Sequence, residues 1–291
     1  MLAFVVVNNA TAKDTLVIGK VSDNPKKHYR YLKPMVDYVA EKMHDLGIKQ
    51  GKVLMAKDNQ QMIRYLKQGK VDWVTETVFS SVVLQNETGA EIILRKWKKG
   101  VPDYYSLIFV HKDSGIHSLQ DLKGRTIGFE DPGSTSAYYI PASVLIQNEL
   151  ELYQLNSPRE KPPADRVGYV FTNEEINTST MVYKGLIDAG AFNNLDWDKE
   201  SHNPELFRKN IRVIYKTKRF PRALEVVRKN LDQKIKQRLK ELLLKAHEDP
   251  DAKSALSSYQ KTKKFDELNN KIMEGIEEAR KLEKIVSEQV K

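Results

Sequence analysis

The segment from residue 128 to residue 141 reads Gly128-Phe129-Glu130-Asp131-Pro132-Gly133-Ser134-Thr135-Ser136-Ala137-Tyr138-Tyr139-Ile140-Pro141. A strand ending at Phe129 is followed by a tight Asp-Pro-Gly loop, and Ser134, Thr135 and Ser136 stand where a helix is predicted to begin. The first turn of a helix has unpaired N–H groups and the positive end of the helix dipole, so it attracts anions. One hydroxyl is enough for an N-cap, so three hydroxyls favour an anion site over a cap alone.

Outward from this segment, apolar strand-like runs alternate with helical patterns. Predicted strands lie at 16–21, 53–56, 71–74, 91–94, 104–110, 125–129, 166–171, 188–192 and 211–215. Helices are predicted around 32–46, 58–69, from about 134, and at 174–183. This β-α-β alternation indicates parallel sheets covered by helices, hence an α/β fold. From about Leu224 the pattern predicts helices only, including an amphipathic region from Phe265 to Val286.

Length and composition narrow the function classes. The 291 residues suffice for about two domains. There is no cysteine, which excludes a disulfide framework, Cys-ligated zinc or iron–sulfur sites, a thiol nucleophile and lipid-modified cysteine. The six histidines show no metal-binding spacing, and there is no P-loop, dinucleotide fingerprint or nucleophile elbow. We therefore predict no metal and no cofactor.

The net charge of +9 is concentrated in one segment. Residues 208–246 carry 14 Lys or Arg against three acidic residues, a local net charge of +11. Within this segment Leu231, Ile235 and Leu239 repeat at helical spacing, which places the lysines on the opposite face. The segment is either a helix that binds nucleic-acid phosphates or a solvated face, and the lack of nucleic-acid-binding motifs favours the solvated face.

The N-terminus suggests export. Six apolar residues, Leu2 to Val7, precede Ala10-Thr11-Ala12, which has the small-x-small form of a signal-peptidase site. The hypothesis is that residues 1–12 are the tail of a truncated signal peptide and that the mature protein begins near Lys13. The alternative is a plain N-terminal strand.

Residues 131–141 resemble the Asp-Pro-x-Ser-Thr-Ser-Gly-aromatic-x-x-Pro signature of the phosphate-, phosphite- and phosphonate-binding proteins of bacterial ABC importers. Further parts match in order: Val71-Asp72-Trp73-Val74, Pro102-Asp103-Tyr104-Tyr105-Ser106, Leu119-x-Asp121-Leu122-Lys123-Gly124 and Ile211-Arg212-Val213-Ile214-Tyr215-Lys216. The similarity extends from about Lys13 to Phe265. In this family the Ser-Thr-Ser motif holds phosphoryl oxygens at a helix N-terminus, which agrees with the interpretation from the residues alone.

The resemblance also implies a two-lobed periplasmic binding fold of type 2 with a ligand cleft between the lobes. We expect residues 13–110 and 216–291 to form lobe 1, and residues 111–215 to form lobe 2. The chain would cross between lobes near 110–113 and 212–216. Ligand contacts from both lobes would favour closure of the cleft by a hinge motion.

Two departures from the family pattern concern the ligand. After Val71-Asp72 the family usually has an aromatic residue and Gly, whereas this chain has Thr75-Glu76-Thr77, so Glu76 and Thr77 are candidate cleft residues. A carboxylate near a dianion is unfavourable unless it shares a proton or meets a cation, and the alternative is a surface Glu. Where aminoalkylphosphonate binders carry an acidic residue, this chain has Arg222-Ala223. That weakens the aminophosphonate assignment, and Arg222 is either a forked donor to the anion or solvated.

The remaining candidates come from the same resemblance. Glu175 and Asn193 align with positions that line the cleft from lobe 2. Tyr104 and Tyr105 are adjacent in a predicted strand, so only one of them can face a cleft. Trp73 and Trp97 are interpreted as packing or rim residues.

The sequence therefore predicts a monomeric, periplasmic solute-binding protein without a catalytic step. It would capture phosphate, phosphite or a small phosphonate and deliver it to ABC permease subunits. One rival interpretation is a phosphoryl-group hydrolase with Ser134 or Ser136 as nucleophile and Glu76 or Glu175 as base. The sequence also leaves open a sensor domain on the same fold and nucleic-acid binding through residues 208–246.

Overall fold

The computed structural model describes residues 14–22 and 24–289, the last of these for its backbone only. The candidate cleavage site at Ala10-Thr11-Ala12 lies outside the described residues, so the signal-peptide hypothesis stays a prediction. Within the described ranges, no helix combines the length and the apolar character needed to cross a bilayer.

Strands and helices alternate over most of the chain. The strands are β1 (Thr15–Val21), β2 (Gln50–Ala56), β3 (Trp73–Glu76), β4 (Glu91–Lys96), β5 (Asp103–Tyr104), β6 (Ser106–His111), β7 (Thr126–Phe129), β8 (Leu152–Gln154), β9 (Val167–Phe171), β10 (Ala189–Asn193), β11 (Ile211–Lys216), β12 (Phe220–Pro221), β13 (Leu224–Val227) and β14 (Phe265–Asp266). The α-helices are α1 (Pro25–Glu41), α2 (Asn59–Lys67), α3 (Val78–Thr88), α4 (Ile140–Gln147), α5 (Glu175–Tyr183), α6 (Asn194–Trp197), α7 (Glu205–Arg208), α8 (Gln233–Lys245), α9 (Ala252–Ser258) and α10 (Asn270–Gln289). A π-helical turn, Thr135–Tyr139, leads into α4.

Twelve of the strands form two six-stranded mixed sheets, and β5 and β12 pair in a separate antiparallel two-stranded sheet. The first has the order β14-β4-β13-β3-β1-β2, with β1 parallel to β2 and β3, and with β13 and β14 antiparallel to their neighbours. The second has the order β11-β6-β10-β7-β9-β8, with β7 to β10 parallel and β6 antiparallel to both of its neighbours. We call the parts of the chain built on these sheets lobe 1 and lobe 2. Strands β3, β7 and β10 are buried along their whole length because helices cover both faces of each sheet.

Two short segments connect the lobes. Between β5 and β6 the backbone of Tyr105 leaves the strand direction and exchanges hydrogen bonds with Asn194, which splits the predicted strand 104–110. Because β6 pairs with β10, the chain already belongs to the second sheet at Ser106. The return segment, 217–219, follows β11, and Thr217 exchanges hydrogen bonds with Ser106 on the first segment. The two crossings therefore lie side by side.

The expectation of helices only after Leu224 is wrong. Strand β13 inserts between β3 and β4, and β14 adds to the edge beside β4. The four residues of β13 include a charged Glu225, so their sequence carries no strand-like run, and pairing with two distant strands determines their conformation. The amphipathic helix predicted near the C-terminus is confirmed as α10, which packs on α3 of lobe 1 and on α4 of lobe 2.

A buried ion pair anchors β13 in the first sheet. Lys96 and Glu225 are both fully buried, with Lys96 Nζ 3.6 Å from Glu225 Oε1 and 4.1 Å from the centre of the Tyr259 ring. The Glu225 carboxylate also accepts hydrogen bonds from Trp73 Nε1 at 2.5 Å and from Tyr259 Oη at 3.0 Å. Burial lowers the pKa of Lys96 to about 8 and raises that of Glu225. The packing role predicted for Trp73 agrees with this position.

We predict that Lys96→Met destabilises the protein by about 3–5 kcal/mol, because it leaves the Glu225 carboxylate buried without its cation. The free energy of unfolding in urea measures this loss. The double variant Lys96→Met/Glu225→Gln, which removes both charges, should regain part of the lost stability. A single variant as stable as the wild type would contradict this role of the pair.

Candidate functional site

The helix start after β7 is organised by Ser134. Its Oγ accepts the Ala137 N–H at 3.3 Å, so this residue caps the π-helical turn. The same hydroxyl donates to Glu130 Oε2 at 2.9 Å. The alternative interpretation of the motif as a simple N-cap therefore applies to one of its three hydroxyls, and the other two need a separate explanation.

The backbone N–H groups of Thr135 and Ser136 are hydrogen-bond donors without acceptors among the described residues, and both residues are buried. Their side chains are 2% and 6% exposed, yet neither backbone N–H finds an acceptor among the described residues. Ser136 Oγ accepts from Asn193 Nδ2 at 3.1 Å, which leaves the hydroxyl hydrogen of Ser136 free to donate. Buried N–H groups are nearly always paired, so this turn is suited to an external acceptor.

Two paired glycines in the second sheet let the lobe 2 residues approach one another. Gly128 of β7 lies opposite Gly190 of β10, and α5 packs over them. A Cβ atom at Gly190 would lie 2.7 Å from Thr178 Cγ2, a distance that side chains do not tolerate. The missing Cβ atoms thus bring the N-terminus of α5, with Glu175, down to the end of β7.

Lobe 1 meets this turn through Thr77. Thr77 follows β3 and stands directly before α3, so it too occupies the end of a strand and the start of a helix. The Thr135 hydroxyl donates to Thr77 Oγ1 at 2.8 Å, a direct contact between the lobes. The hydrogen of the Thr77 hydroxyl has no acceptor among the described residues and can also donate.

The two adjacent tyrosines have different surroundings. Tyr104 is 4% exposed, and its Oη makes no hydrogen bond of standard geometry with any described residue. Burial raises the pKa of Tyr104, while the nearby hydroxyls of Ser136 and Thr135 act to lower it. Tyr105 is only partly buried and its ring lies 5.0 Å from the Arg219 guanidinium. The structure thus brings Tyr104 to the Ser-Thr-Ser turn.

Arg222 lies beside Tyr104 and is not a solvated surface residue. Its Nη1 donates to the Lys98 carbonyl oxygen at 2.5 Å. Burial lowers the pKa of Arg222, whereas Tyr104 and Asp196 raise it. Since Asp196 belongs to the part of the chain built on the second sheet, Arg222 feels a charge from that part as well.

Glu76 is held by a cation of its own lobe. It is 5% exposed, and Lys20 Nζ lies 3.1 Å from both carboxylate oxygens. The Val21 N–H adds a hydrogen bond at 2.7 Å. The carboxylate is therefore neutralised by Lys20, and the structure does not pair Glu76 with Ser134 or Ser136.

An acidic group borders the turn in lobe 2. Burial raises the pKa of Glu130 to about 7, and the Ser134 hydrogen bond opposes this increase. Burial, followed by the charges of Glu130 and Asp196, raises the pKa of Glu175 to about 8. At neutral pH Glu175 is mostly protonated and Glu130 is about half protonated, which reduces their repulsion of an anion at the turn.

Three side chains near this group have a geometry that would suit a metal ion. The ligand atoms of Glu175, Asp196 and His202 lie within 4.8 Å of one another. The Lys199 ammonium forms a salt bridge with the same Asp196 carboxylate, so a cation already compensates that charge. The expectation of no metal stays a prediction.

Sequence reasoning missed Lys20, which holds Glu76, and Glu130, which accepts from the Ser134 hydroxyl. Glu130 directly follows β7, and Lys20 is near the end of β1, so both stand where ligands bind in open α/β sheets. That rule would have found them.

Part of the basic segment is paired with acidic residues of other elements. In α8, Lys236 lies 2.8 Å from Glu91, and Arg238 lies 3.0 Å from Asp45. Lys240 forms a third ion pair with Glu267 at 2.8 Å. These contacts agree with the interpretation of the basic segment as a solvated face, on which nearby carboxylates balance part of the positive charge.

Comparison with known proteins places this geometry in context. A profile described as "ABC transporter, phosphonate, periplasmic substrate-binding protein" matches residues 18–271. The phosphonates-binding periplasmic protein of Escherichia coli K12 is 25% identical over 231 residues, which are 77% of this chain and 65% of that protein. The chain thus spans slightly less than two thirds of the length of this relative.

Two solved structures extend the comparison. XAC2383 from Xanthomonas citri, solved with ATP, is 36% identical with a TM-score of 0.90, covering 96% of this chain and 100% of that one. PhnD1 from Prochlorococcus marinus, solved with methylphosphonate, has a TM-score of 0.65 at 21% identity, covering 93% of this chain and 99% of that one, and shows the shared fold. The predicted two-lobed α/β periplasmic-binding fold and the predicted family are both confirmed. The chain belongs to the phosphonate family of periplasmic substrate-binding proteins of ABC transporters.

Proposed function

We propose that this protein captures phosphate, phosphite or a small phosphonate between its lobes and delivers it to the permease of an ABC importer. The observation that carries the proposal is the convergence of uncommitted donors on one buried place: the N–H groups of Thr135 and Ser136 and the hydroxyls of Ser136, Thr77 and Tyr104. Five donors can satisfy the oxygens of one tetrahedral oxyanion. Arg222 adds a positive charge beside them.

The domain division follows from the same contacts. We propose that lobe 1 comprises residues up to 104 together with residues from 220 onward, and that lobe 2 comprises residues 106–216. The adjacent crossings at Tyr105 and 217–219 would form the hinge, and the Thr77–Thr135 hydrogen bond would close the cleft. As α10 packs on both lobes, it would limit the range of the hinge.

We propose a binding role without catalysis. The Ser134 hydroxyl hydrogen is donated to Glu130, but its oxygen also caps the turn, and no described histidine hydrogen-bonds to Ser134 or Ser136. We also propose that the protein is a monomer that is exported to the periplasm and cleaved near Lys13. Incubation with p-nitrophenyl phosphate should give no turnover, and steady product release would instead favour a hydrolase.

A ligand panel tests the proposal directly. At least one of phosphate, phosphite, methylphosphonate and 2-aminoethylphosphonate should stabilise the protein, with sulfate as the comparison anion. A ligand at 100 times its Kd adds about 2.7 kcal/mol to the free energy of unfolding. Thermal shift and isothermal titration calorimetry measure the effect. If no phosphoryl compound raises the melting temperature or gives binding heat, the proposed function is wrong.

Tyr104→Phe tests the placement of the site. Because the hydroxyl makes no hydrogen bond of standard geometry with a described residue, its loss should not lower the melting temperature of the unliganded protein. It should weaken oxyanion binding about tenfold, since a hydrogen bond to a charged acceptor contributes about 1.5–3 kcal/mol. Tyr105→Phe is the matched control and should leave both quantities unchanged. Equal affinity of the Tyr104→Phe variant and the wild type would contradict this placement.

The pH dependence should report Glu130. Above about pH 7 this carboxyl ionises beside Ser134, so anion affinity should fall between about pH 6 and about pH 9 through added repulsion. Glu130→Gln should flatten this decline, measured with the same ligand so that the ligand's own ionisation cancels.

The raised pKa of Glu130 also means that the folded state holds a proton that the unfolded state has released. The contribution of this group to the free energy of unfolding is therefore lost as pH rises through about 7. If the anion affinity of the wild type and of Glu130→Gln declines in parallel, the role of Glu130 is contradicted.

A further inference from the structure

Asn193 ends β10, and its side-chain amide makes four hydrogen bonds within the protein. Its Oδ1 accepts the N–H groups of Leu195 at 3.0 Å and of Asp196 at 3.1 Å, so Asn193 is the N-cap of α6. Its Nδ2 donates to Ser136 Oγ at 3.1 Å and to the Asp196 carboxylate. A side-chain amide has two donor hydrogens and accepts two hydrogen bonds. The hydrogen-bonding capacity of Asn193 is therefore filled by the protein, and none of it remains for a ligand.

The direction of the Asn193 amide has no equally stable alternative. A reversed amide would turn its N–H groups toward the N–H groups of Leu195 and Asp196, and its oxygen toward the Asp196 carboxylate. Donors would face donors and acceptors would face acceptors, which is costly at a residue that is only 8% exposed. Lys199 forms an ion pair with Asp196 and so favours the ionised carboxylate, which can only accept. The Nδ2 group is therefore fixed toward Ser136 Oγ.

This direction determines what the Ser136 hydroxyl can do. Because its oxygen accepts from Asn193, its hydrogen points elsewhere, and no described residue accepts that hydrogen in a hydrogen bond of standard geometry. The backbone of Ser136 is held as well: the fully buried Ser106 donates its hydroxyl to the Ser136 carbonyl oxygen at 2.6 Å. Ser136 is thus fixed in both backbone and side chain, and one donor hydrogen remains for an external acceptor.

We infer, resting on the proposed function, that Asn193 is a positioning residue of the oxyanion site: its amide occupies the oxygen of Ser136 and so directs the Ser136 hydroxyl hydrogen to the ligand. Ser136 then serves the anion as a donor only, and it favours an ionised phosphoryl oxygen, the stronger acceptor. A hydroxyl whose direction is set before binding costs less entropy to order than one that rotates freely. The family resemblance placed Asn193 among the residues that line the cleft, whereas its filled amide assigns it to Ser136 and not to the ligand.

A double-mutant cycle between Asn193 and Ser136 tests this role. Asn193→Ser keeps a side-chain oxygen that can cap α6, but it loses the amide donor to Ser136 Oγ. The probes are phosphate, phosphite, methylphosphonate and 2-aminoethylphosphonate, each measured by isothermal titration calorimetry. For the probes that bind the wild type, Asn193→Ser should weaken binding about fivefold and Ser136→Ala about tenfold, the sizes expected for single hydrogen bonds. In the Ser136→Ala background, Asn193→Ser should cause no further loss of affinity.

Melting temperatures distinguish this role from a merely structural one. Asn193→Ser should lower the melting temperature of the unliganded protein in both backgrounds, whereas it should lower the affinity only where the Ser136 hydroxyl is present. Asn148→Ser is the matched control, because Asn148 of lobe 2 also donates an amide hydrogen bond, to the Val144 carbonyl oxygen at 2.8 Å. This control should leave the affinity unchanged.

Equal losses of affinity from Asn193→Ser in the two backgrounds would show that the amide acts independently of Ser136, and they would overturn the inference. Wild-type affinity of Asn193→Ser would overturn it too. If Asn193→Ser does not fold, Asn193→Asp replaces it, since it retains the cap and the size of the side chain. Its carboxylate attracts the Ser136 hydrogen, so its loss of affinity should be greater in the wild-type background than in the Ser136→Ala background, and the added charge is common to both. If the wild type binds none of the four probes, the proposed function itself fails.

Discussion

The backbone N–H groups of Thr135 and Ser136 are the constraint on which the cleft depends. A buried N–H without an acceptor is destabilising, so a chain that keeps two of them must hold the turn rigidly from other directions. The turn is fixed by the Ser134 cap, by the Asn193 amide on Ser136 Oγ and by the Ser106 hydroxyl on the Ser136 carbonyl. An anion then finds donors whose orientation is already fixed, which lowers the entropic cost of binding.

Charge is distributed unequally between the two walls of the cleft. Lobe 1 contributes the Arg222 guanidinium, whereas lobe 2 contributes the carboxyls of Glu130, Glu175 and Asp196. Raised pKa values keep Glu175 mostly protonated and Glu130 about half protonated near neutral pH, so the lobe 2 wall repels an anion less than two ionised carboxylates would. Asp196 also acts on Arg222, whose pKa it raises, as expected for opposite charges that attract each other.

Sequence patterns revealed most of the fold because its central elements are long apolar runs. Strands β1, β9 and β10 and helices α2 and α5 were predicted within a few residues. Strand β13 was missed because its conformation comes from pairing with β3 and β4, which are distant in sequence. The split at Tyr105 was missed for the same reason, since Asn194 of another element diverts the backbone there.

The sequence predicted those parts of the candidate site that neighbouring residues in the chain specify. The Ser-Thr-Ser turn is local, because a strand end, a tight turn and hydroxyls in succession specify it. The environment of Glu76 is not local: an exposed carboxylate and one neutralised by Lys20 look the same in sequence. For Tyr104 and Tyr105, sequence reasoning left open which one faces the cleft, and tertiary packing distinguishes them.

The net charge of +9 is a poor guide to where an anion binds. The net positive charge is concentrated in residues 208–246, where Lys236 and Lys240 of α8 form ion pairs with acidic side chains of other elements. Such exposed pairs contribute little and are screened by salt. A partly buried cation interacts more strongly with an anion than an exposed one does, because less water separates the charges. The electrostatics of binding therefore depend on pairing and burial, and the number of lysines says little about either.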